Sequence, residues 1–364
     1  MRQKILLFLA LQLFFFDLFA QKTNDFSVIA YYMGNDQQID QFEVHKLSHI
    51  IFSFCHLKDN KLHVDNAKDS VTIKHLVALK KSNPQLKVML SLGGWGGCAP
   101  CSEAFSTDEG RTRFAHSVKE INDYFGTDGI DLDWEYPTIE GHPGHLYQKQ
   151  DKQNFTALIE ALRKVLGSNN ELSFAAGGFQ KYLDESVEWN KIMPLVDRVN
   201  IMSYDLVNGY ATVTGHHTPL FSTHSEEEST NRAVQYLLNL GIPAHKLVIG
   251  AAFYTRVWED VANVNNGLYQ AGKHRSGYNF KSYASNLTKE NGWQYFWDKK
   301  AQAPYWYNKN QKLFATGDDL TSVKAKTAYA LDKKLGGIMF WELTLDTYRE
   351  GMVDAIDKTV KENQ

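Results

Sequence analysis

The sequence predicts an α/β fold: a (β/α)8 TIM barrel with a small α+β insertion between its seventh and eighth strands. Eight short apolar runs alternate with amphipathic stretches along the 364 residues, as parallel strands covered by helices do. The even spacing breaks once, at residues 258–316, where the chain becomes aromatic and polar and shows no long helical pattern. A doubly wound sheet is the alternative, but eight evenly spaced strands favour the barrel.

The first 20 residues are typical of an export signal. Arg2 and Lys4 precede an apolar run at 5–19, and Ala20 is a small residue at a plausible cleavage point. The run is short for a membrane-spanning helix, which needs about 20 apolar residues. A buried N-terminal helix and a membrane anchor are the alternatives. We therefore expect a secreted protein, free of the membrane once the signal at 1–20 is removed, with a catalytic domain at 21–364.

The predicted elements follow in order after this segment. The strand-like runs are rich in Val, Ile and Phe and lie at 26–32, 49–56, 87–92, 129–135, 171–176, 198–204, 247–254 and 337–343. The main helical stretches lie at 70–81, 111–124, 151–166, 226–240 and 320–334. We expect Ser70, Thr107 and Thr321 to cap three of these helices.

Composition limits the partners. The formal net charge of −3 gives no reason to expect binding to nucleic acid or to an anionic membrane.

Cys98 and Cys101 are two of three cysteines, and no second CxxC or paired His completes a metal site. A redox pair and half of a zinc site are alternatives to a small structural disulfide. We favour the disulfide, which leaves Cys55 as a buried free thiol.

The fourth run, DGIDLDWEYP at 128–137, contains the candidate chemistry. Because side chains alternate across a strand, Asp131, Asp133 and Glu135 share the face that points into the barrel. Crowded carboxyls in a low-dielectric interior should raise at least one pKa, so that one acid stays protonated near neutral pH. A solvated edge strand and a divalent-metal site are the alternatives. Barrel active sites lie at the C-terminal strand ends, where Glu135 falls.

These residues resemble those of family 18 glycoside hydrolases, the chitinases and their relatives. DGIDLDWEYP is similar to the family's DxxDxDxE signature, and KVMLSLGGW at 87–95 resembles its SxGG segment. MSYD at 202–205 resembles its M-x-Y-D segment, YTR at 254–256 its Tyr-x-Arg segment, and Trp341 the tryptophan that ends its eighth strand. The resemblance runs in order from about residue 26 to the C-terminus.

The resemblance implies a retaining mechanism assisted by the substrate. Glu135 would protonate the glycosidic oxygen and later act as base for water. The substrate's 2-acetamido oxygen would attack the anomeric carbon and give an oxazolinium ion. Asp133 would turn toward the acetamide, Asp131 would hold a proton shared with Asp133, and Tyr204 would donate a hydrogen bond to the acetamide oxygen. No metal and no cofactor is implied.

The resemblance also implies substrate-binding residues. Asp205 would help bind the distorted sugar, and Trp341 would form the apolar floor beneath it. The further pocket positions are Tyr31, Phe54, Trp95, Met202, Tyr254 and Arg256. The insertion would wall one side of the cleft. Its candidate sugar platforms, which equally fit a small core of its own, are Trp258, Trp293 and Trp297.

The expected function is that of a monomeric chitinase acting on chitin or chito-oligosaccharides. An endo-β-N-acetylglucosaminidase of N-glycans is one alternative, although such relatives usually lack the insertion. An inactive chitin-binding lectin is another, although such relatives typically lose the proton donor or its aspartate partner. Both Glu135 and Asp133 are present here.

Overall fold

The computed structural model describes residues 26–363. The predicted export segment at 1–20 lies outside the described residues. Within them, the first strand begins at Ser27 and the last helix ends at Glu362. The whole predicted barrel therefore lies in the described part of the chain.

Strands and helices alternate along the chain. The strands are β1 (Ser27–Tyr32), β2 (His49–Lys58), β3 (Lys61–His63), β4 (Lys87–Gly93), β5 (Gly129–Asp133), β6 (Glu171–Gly177), β7 (Arg198–Met202), β8 (Leu247–Ala252), β9 (Thr255–Glu259), β10 (Lys273–Ser276), β11 (Trp293–Asp298), β12 (Ala303–Asn308), β13 (Leu313–Gly317) and β14 (Gly337–Trp341). The α-helices are α1 (Ala67–Ala78), α2 (Cys101–Ala104), α3 (Asp108–Phe125), α4 (Asp151–Leu166), α5 (Gln180–Glu185), α6 (Trp189–Ile192), α7 (Thr230–Asn239), α8 (Tyr283–Asn286), α9 (Leu320–Asp332) and α10 (Met352–Glu362). None of the helices in residues 26–363 is long and apolar enough to cross a membrane.

Eight parallel strands close into a barrel. They follow the order β1, β14, β8, β7, β6, β5, β4, β2, and β1 pairs with β2 as well as with β14. The sheet therefore has no free edge along the barrel. The predicted (β/α)8 barrel is confirmed.

The two faces of each barrel strand have different neighbours. In β5, Ile130 and Leu132 are buried in the large core beneath the helices. Asp131 and Asp133, which alternate with them, point into the barrel interior. The alternation predicted from the sequence thus decides which side chains reach the interior.

Two of the three predicted helix caps are wrong. Asn66 caps α1 by accepting from the N–H groups of Lys68 and Asp69, and Ser70 already lies inside the helix. Asp319 caps α9 in the same way, one residue before the helix begins. Thr107 caps α3 as predicted. The errors arose because Asn and Asp, which are equally good caps, lay a few residues upstream of the chosen hydroxyls.

A separate antiparallel sheet lies between β8 and β14. Its five strands follow the order β10, β9, β13, β12, β11, and it spans Thr255 to Gly317. Trp293 and Trp306 are buried on one face of this sheet, and Trp258 and Phe314 on the other. The sheet therefore has its own small cores and extends the chain beyond the mouth of the barrel.

Polar links tie the opposite, N-terminal end of the barrel together. Glu171 begins β6 and accepts from His49, which begins β2, at 3.0 Å, and from Arg198, which begins β7, at 2.7 Å. These contacts join β6 to the non-adjacent strand β2 and to its neighbour β7, at the end of the barrel opposite the C-terminal strand ends. This end of a TIM barrel usually contributes to stability and takes no part in the chemistry.

The structure joins Cys98 to Cys101 by a disulfide. Cys55 is a buried free thiol, and burial raises its pKa. The disulfide closes the loop between β4 and α2. It therefore constrains the segment that follows Trp95, as expected of a small structural disulfide.

Candidate active site

The predicted catalytic residues gather at the C-terminal mouth of the barrel. Asp131 and Asp133 lie in β5, and Glu135 lies two residues beyond its end, so the predicted strand at 129–135 is two residues too long. Tyr204 lies two residues beyond the end of β7. This is the end of the barrel at which loops build enzyme active sites.

Asp131 is the deepest of the three acids. Its carboxylate accepts from the hydroxyls of Tyr31 at 2.9 Å, Ser91 at 3.3 Å and Ser173 at 2.6 Å, and from the amide of Asn200 at 3.0 Å. Burial raises the pKa of Asp131, and these hydrogen bonds oppose the rise. Both oxygens are thus occupied by donors from four other barrel strands.

Asp133 differs sharply from Asp131. Its Oδ1 atom is buried and has no hydrogen-bond partner among the described residues. Burial raises the pKa of Asp133 well above its usual range, and the charges of Glu135 and Asp131 raise it further. Because neighbouring ionised carboxylates repel each other in a buried site, a proton is retained on the pair formed by Asp133 and Glu135.

Glu135 lies at the edge of the cleft, where part of its side chain contacts solvent. Burial raises the pKa of Glu135 to about 7; the nearby Tyr136 hydroxyl opposes the rise, and the Asp205 carboxylate adds to it. A carboxyl with this pKa is protonated in mildly acidic solution and still exchanges its proton easily. Those are the properties of a general acid and base.

Tyr204 presents its hydroxyl inside the mouth of the barrel. The hydroxyl lies 3.8 Å from the Met339 sulfur, a weak contact that leaves it free to donate to a ligand. Burial and the neighbouring acids raise the pKa of Tyr204 well above its usual value, so it stays protonated. Gly250 of β8 makes room for the ring, because a Cβ there would lie 2.8 Å from Tyr204 Cε1.

Asp205 is ionised and firmly held. Tyr254 donates to its Oδ2 at 2.8 Å, and Arg256 donates to both oxygens at 2.7 and 2.6 Å. Burial would raise the pKa of Asp205, but hydrogen bonds and charge from His217 and Arg256 hold it well below its usual range. The bidentate Arg256 fixes the plane of the carboxylate.

His217 completes this group, although it was not among the residues predicted from the sequence. It is fully buried, its Nδ1 lies 3.2 Å from the Asp205 N–H, and its Nε2 lies 3.3 Å from the Tyr254 carbonyl. Its Nδ1 also lies 3.2 Å from Asp205 Oδ1, so the ring contacts both the backbone and the carboxylate of Asp205. His217 lies on a loop outside the sequence segments that resemble the family. Only its position in space, next to Asp205 and Tyr254, identifies it as part of the site.

Trp341 and Phe54 form an apolar floor. Their rings stack with centroids 5.5 Å apart and an angle of 19° between planes, and both side chains are partly exposed. Met202 is buried beside them in the barrel interior. A partly exposed aromatic surface next to polar groups suits the apolar face of a sugar ring.

Tyr31 is placed differently from the prediction. Its side chain has an exposed fraction of 0%, so it has no surface open to a ligand. It donates to Asp131 and packs against Trp341, with ring centroids 5.8 Å apart. The reason is depth, since Tyr31 lies inside β1, one layer below the strand ends. Tyr31 therefore supports the site and does not line it.

An exposed aromatic group extends the cleft away from Glu135. Trp95 is 40% exposed, and its ring lies 5.6 Å from His142, 6.4 Å from Tyr210 and 6.4 Å from Tyr136. Of the four, only Trp95 was predicted to bind substrate; Tyr136 lies in the acidic segment at 128–137, and His142 and Tyr210 lie on loops with no distinctive pattern. Tyr210, at 65% exposure, is the most open of the group.

For two of the three candidate platform tryptophans of the insertion, the structure bears out the alternative of a small core. Trp258 and Trp293 are buried in the insertion's own cores. In β11 and β9, alternate side chains point into these cores, and both tryptophans fall on the inner face. Trp297 keeps part of its surface exposed, and its role as a platform stays a prediction.

Within residues 26–363, His, Cys, Asp and Glu form no group arranged to hold a metal ion. The acids of β5 are surrounded by hydroxyls, an amide and aromatic rings. The arrangement can deliver a proton from Glu135, place a hydrogen-bond donor at Tyr204 and bind an apolar ring face over Trp341. Together these suit acid catalysis on a sugar.

Comparisons with known proteins show the family of this chain. A family model for glycosyl hydrolases family 18 matches residues 27–346. Chitinase A1 of Niallia circulans is 36% identical over 75% of this chain, which spans only 42% of that protein. Chitotriosidase-1 of Mus musculus is 31% identical over 83% of this chain and 68% of its own length. A solved family 18 N-acetylglucosaminidase from Paenibacillus barengoltzii, 35% identical, superposes with a TM-score of 0.85 over 92% of this chain and all of its own.

Proposed function

The chain belongs to glycoside hydrolase family 18, and we propose that it hydrolyses β-1,4 linkages between N-acetylglucosamine units of chitin or chito-oligosaccharides. The single observation that carries this proposal is the row of acids in β5. It ends at Glu135, whose pKa burial raises to about 7, next to a carboxyl, Asp133, with an unpartnered buried oxygen. Such a pair offers one mobile proton and one unsatisfied acceptor.

In the first step, protonated Glu135 donates to the glycosidic oxygen as the bond to the anomeric carbon breaks. The acetamide oxygen of the same sugar attacks that carbon, which gives an oxazolinium ion. In the second step Glu135, now ionised, removes a proton from water as the water opens this ion. Two displacements at one carbon give net retention.

Asp133 acts on the acetamide. Its unpartnered Oδ1 suits the acetamide N–H, and its negative charge stabilises the positive ion as the reaction proceeds. The sequence led us to expect a proton shared between Asp131 and Asp133. Because donors already occupy both oxygens of Asp131, we place the resting proton on the pair formed by Asp133 and Glu135. Asp131 then supplies fixed negative charge from below.

Tyr204, Asp205 and Trp341 bind the reacting sugar. The Tyr204 hydroxyl donates to the acetamide oxygen and holds it for attack. Asp205, fixed by Arg256 and Tyr254, accepts from sugar hydroxyls. Trp341 supports the apolar face of the ring. Since the nucleophile belongs to the substrate, polymers without an N-acetyl group should be poor substrates.

The similar proteins include chitinases and an N-acetylglucosaminidase, and the length of the released product distinguishes the two activities. The likeness to an N-acetylglucosaminidase favours a second candidate function, the release of single N-acetylglucosamine units. The exposed row of Trp95 and Tyr210 favours a longer bound chain and release of chitobiose. Product analysis on chitohexaose by chromatography decides between monomer and dimer.

The activity test pairs the wild type with Glu135→Gln on chito-oligosaccharides. We expect the wild type to cleave them and the variant to lose at least about a thousandfold in kcat, because an amide cannot donate the proton. Calorimetry should show that the variant still binds. If the wild type bound the oligosaccharides without cleaving them, a lectin function would replace this proposal.

We further propose that the protein is exported through residues 1–20 and acts as a monomer. The charged start, apolar run and small residue at Ala20 support the export proposal. N-terminal sequencing of the mature protein should begin at Gln21. Light scattering at micromolar concentration should give the mass of one chain.

A further inference from the structure

A fully buried ion pair joins the end of the insertion to helix α9. Asp318 directly follows β13, Lys326 lies in α9, and Lys326 Nζ lies 2.7 Å from Asp318 Oδ2. Both side chains have an exposed fraction of 0%. Burying two charges costs several kcal/mol per ion unless their partners compensate. The proposed chemistry uses neither residue, so the pair calls for another role.

The polar atoms of this pair contact several segments of the chain. Asp318 Oδ2 accepts the backbone N–H of Ala252 at 2.9 Å, and Oδ1 accepts the Ser322 hydroxyl at 2.6 Å. Lys326 also donates to the Thr218 hydroxyl. That hydroxyl in turn lies 3.1 Å from the Ser203 carbonyl. The pair therefore connects the ends of two barrel strands, a loop and a helix.

Each connected segment carries a residue of the Asp205 group. Ser203 lies two residues before Asp205, and Ala252 lies two residues before Tyr254. Thr218 directly follows His217. On the insertion side, Thr316 of β13 pairs with Arg256 of β9, just before Asp318. The partners of Asp205 come from distant parts of the sequence, and the buried pair is a point at which their backbones meet.

We propose that Asp318 and Lys326 form a positioning clamp that sets the geometry of Asp205 and its partners Tyr254, Arg256 and His217. The inference rests on the proposed function, because Asp205 is assigned there to the reacting sugar. The clamp touches no substrate. It acts by holding the strand ends and the loop in register.

An apolar pair of similar volume would not take over the positioning role of Asp318 and Lys326. Such a pair is often neutral or stabilising overall, since it removes the cost of burying charge. It would nevertheless leave the Ala252 N–H without its acceptor, and the Thr218 hydroxyl would lose its contacts with Lys326 and Asp318. Hydrogen bonds have a direction that apolar contacts lack, so an ionic clamp specifies where these backbones lie. An apolar replacement can therefore keep the stability of the fold and still lose the positions of these backbones.

The test measures kcat and KM on a chito-oligosaccharide for Lys326→Met and for Thr218→Val, which removes one link and leaves the ion pair. Rates are divided by the fraction of binding-competent protein, taken from calorimetric stoichiometry. We expect Lys326→Met to lose roughly tenfold to a hundredfold in kcat/KM, because small misplacements in a site have effects of this size. The loss should fall mainly on kcat, since a strained sugar is bound most tightly in the transition state. Thr218→Val should show a smaller loss in the same direction.

Two comparisons make the test specific. Arg198→Met breaks the ion pair with Glu171 at the opposite end of the barrel and should lower the melting temperature while keeping wild-type kcat/KM. In an Asp205→Asn background, Lys326→Met should cost less than about threefold further, because coupled residues are not additive. Full additivity of the two substitutions would show that the clamp does not act through Asp205.

The outcomes separate this inference from the proposed function. If the wild type neither binds nor cleaves chito-oligosaccharides, the proposed function fails and the inference fails with it. If the wild type cleaves them and the folded Lys326→Met and Thr218→Val variants match it, the inference alone fails. Should Lys326→Met not fold, wild-type kcat/KM in Thr218→Val is sufficient to overturn the clamp.

Discussion

Gly250→Ala should damage catalysis by moving Tyr204. A Cβ at Gly250 would lie 2.8 Å from Tyr204 Cε1, 2.7 Å from the Ile201 carbonyl oxygen and 2.9 Å from Met339 Cε. Ordinary carbon contacts are about 3.5–4.0 Å, so the ring must shift by about 1 Å. A displacement of this size in a catalytic group costs on the order of a hundredfold in rate, or about 2.7 kcal/mol of barrier.

Initial rates on a 4-nitrophenyl chito-oligosaccharide would measure this loss. Overpacking costs about 1–3 kcal/mol of stability, which most domains survive, so circular dichroism should show a folded variant with a lowered melting temperature. Tyr204→Phe removes the hydroxyl and leaves the ring in place. If Gly250 acts through Tyr204, the double variant should lose little more than the worse single variant. A folded Gly250→Ala variant with wild-type kcat/KM would refute the assignment of Tyr204 as a positioned donor.

Two further predictions concern the charges of the site. Because Glu135 must be protonated to donate and its pKa is raised to about 7, kcat/KM should fall tenfold per pH unit above pH about 7; a plateau extending to pH 9 would exclude Glu135 as the acid. The same raised pKa means that the folded state loses stability as pH rises from about 4.5 to 7, so Glu135→Gln should melt at a higher temperature than the wild type at pH 8 in a thermal scan. Arg256→Lys keeps the charge but loses the two-point contact with Asp205, so kcat/KM should drop about tenfold, and an unchanged value would show that fixing the carboxylate plane is unimportant.

Most of the fold was predictable because periodicity reports burial. The eight apolar runs mark strands that helices cover, and all eight form the barrel. Ends of elements were less predictable. The acidic strand stops at Asp133 and not at Glu135, and Asn66 caps α1 in place of Ser70. Several residues near each end satisfy the same local rule, and packing chooses among them.

The sequence by itself determined the chemistry of the site. Alternation in one strand placed Asp131, Asp133 and Glu135 on a shared face, and four further segments matched the order of a known family. These features are local, so a few consecutive residues express them. The proposed substrate class rests on the same residues.

Only the tertiary structure decided how the site is supported. It buried Tyr31 beneath Asp131, removed Trp258 and Trp293 from the cleft, and brought His217 to Asp205. It also formed three cis peptide bonds before residues other than proline, after Ser53, Glu135 and Trp341. Through Thr218, the Asp318–Lys326 pair reaches Ser203, which lies 123 residues before Lys326 in the sequence. Such contacts depend on which strand ends meet when the barrel closes, and no local pattern encodes that.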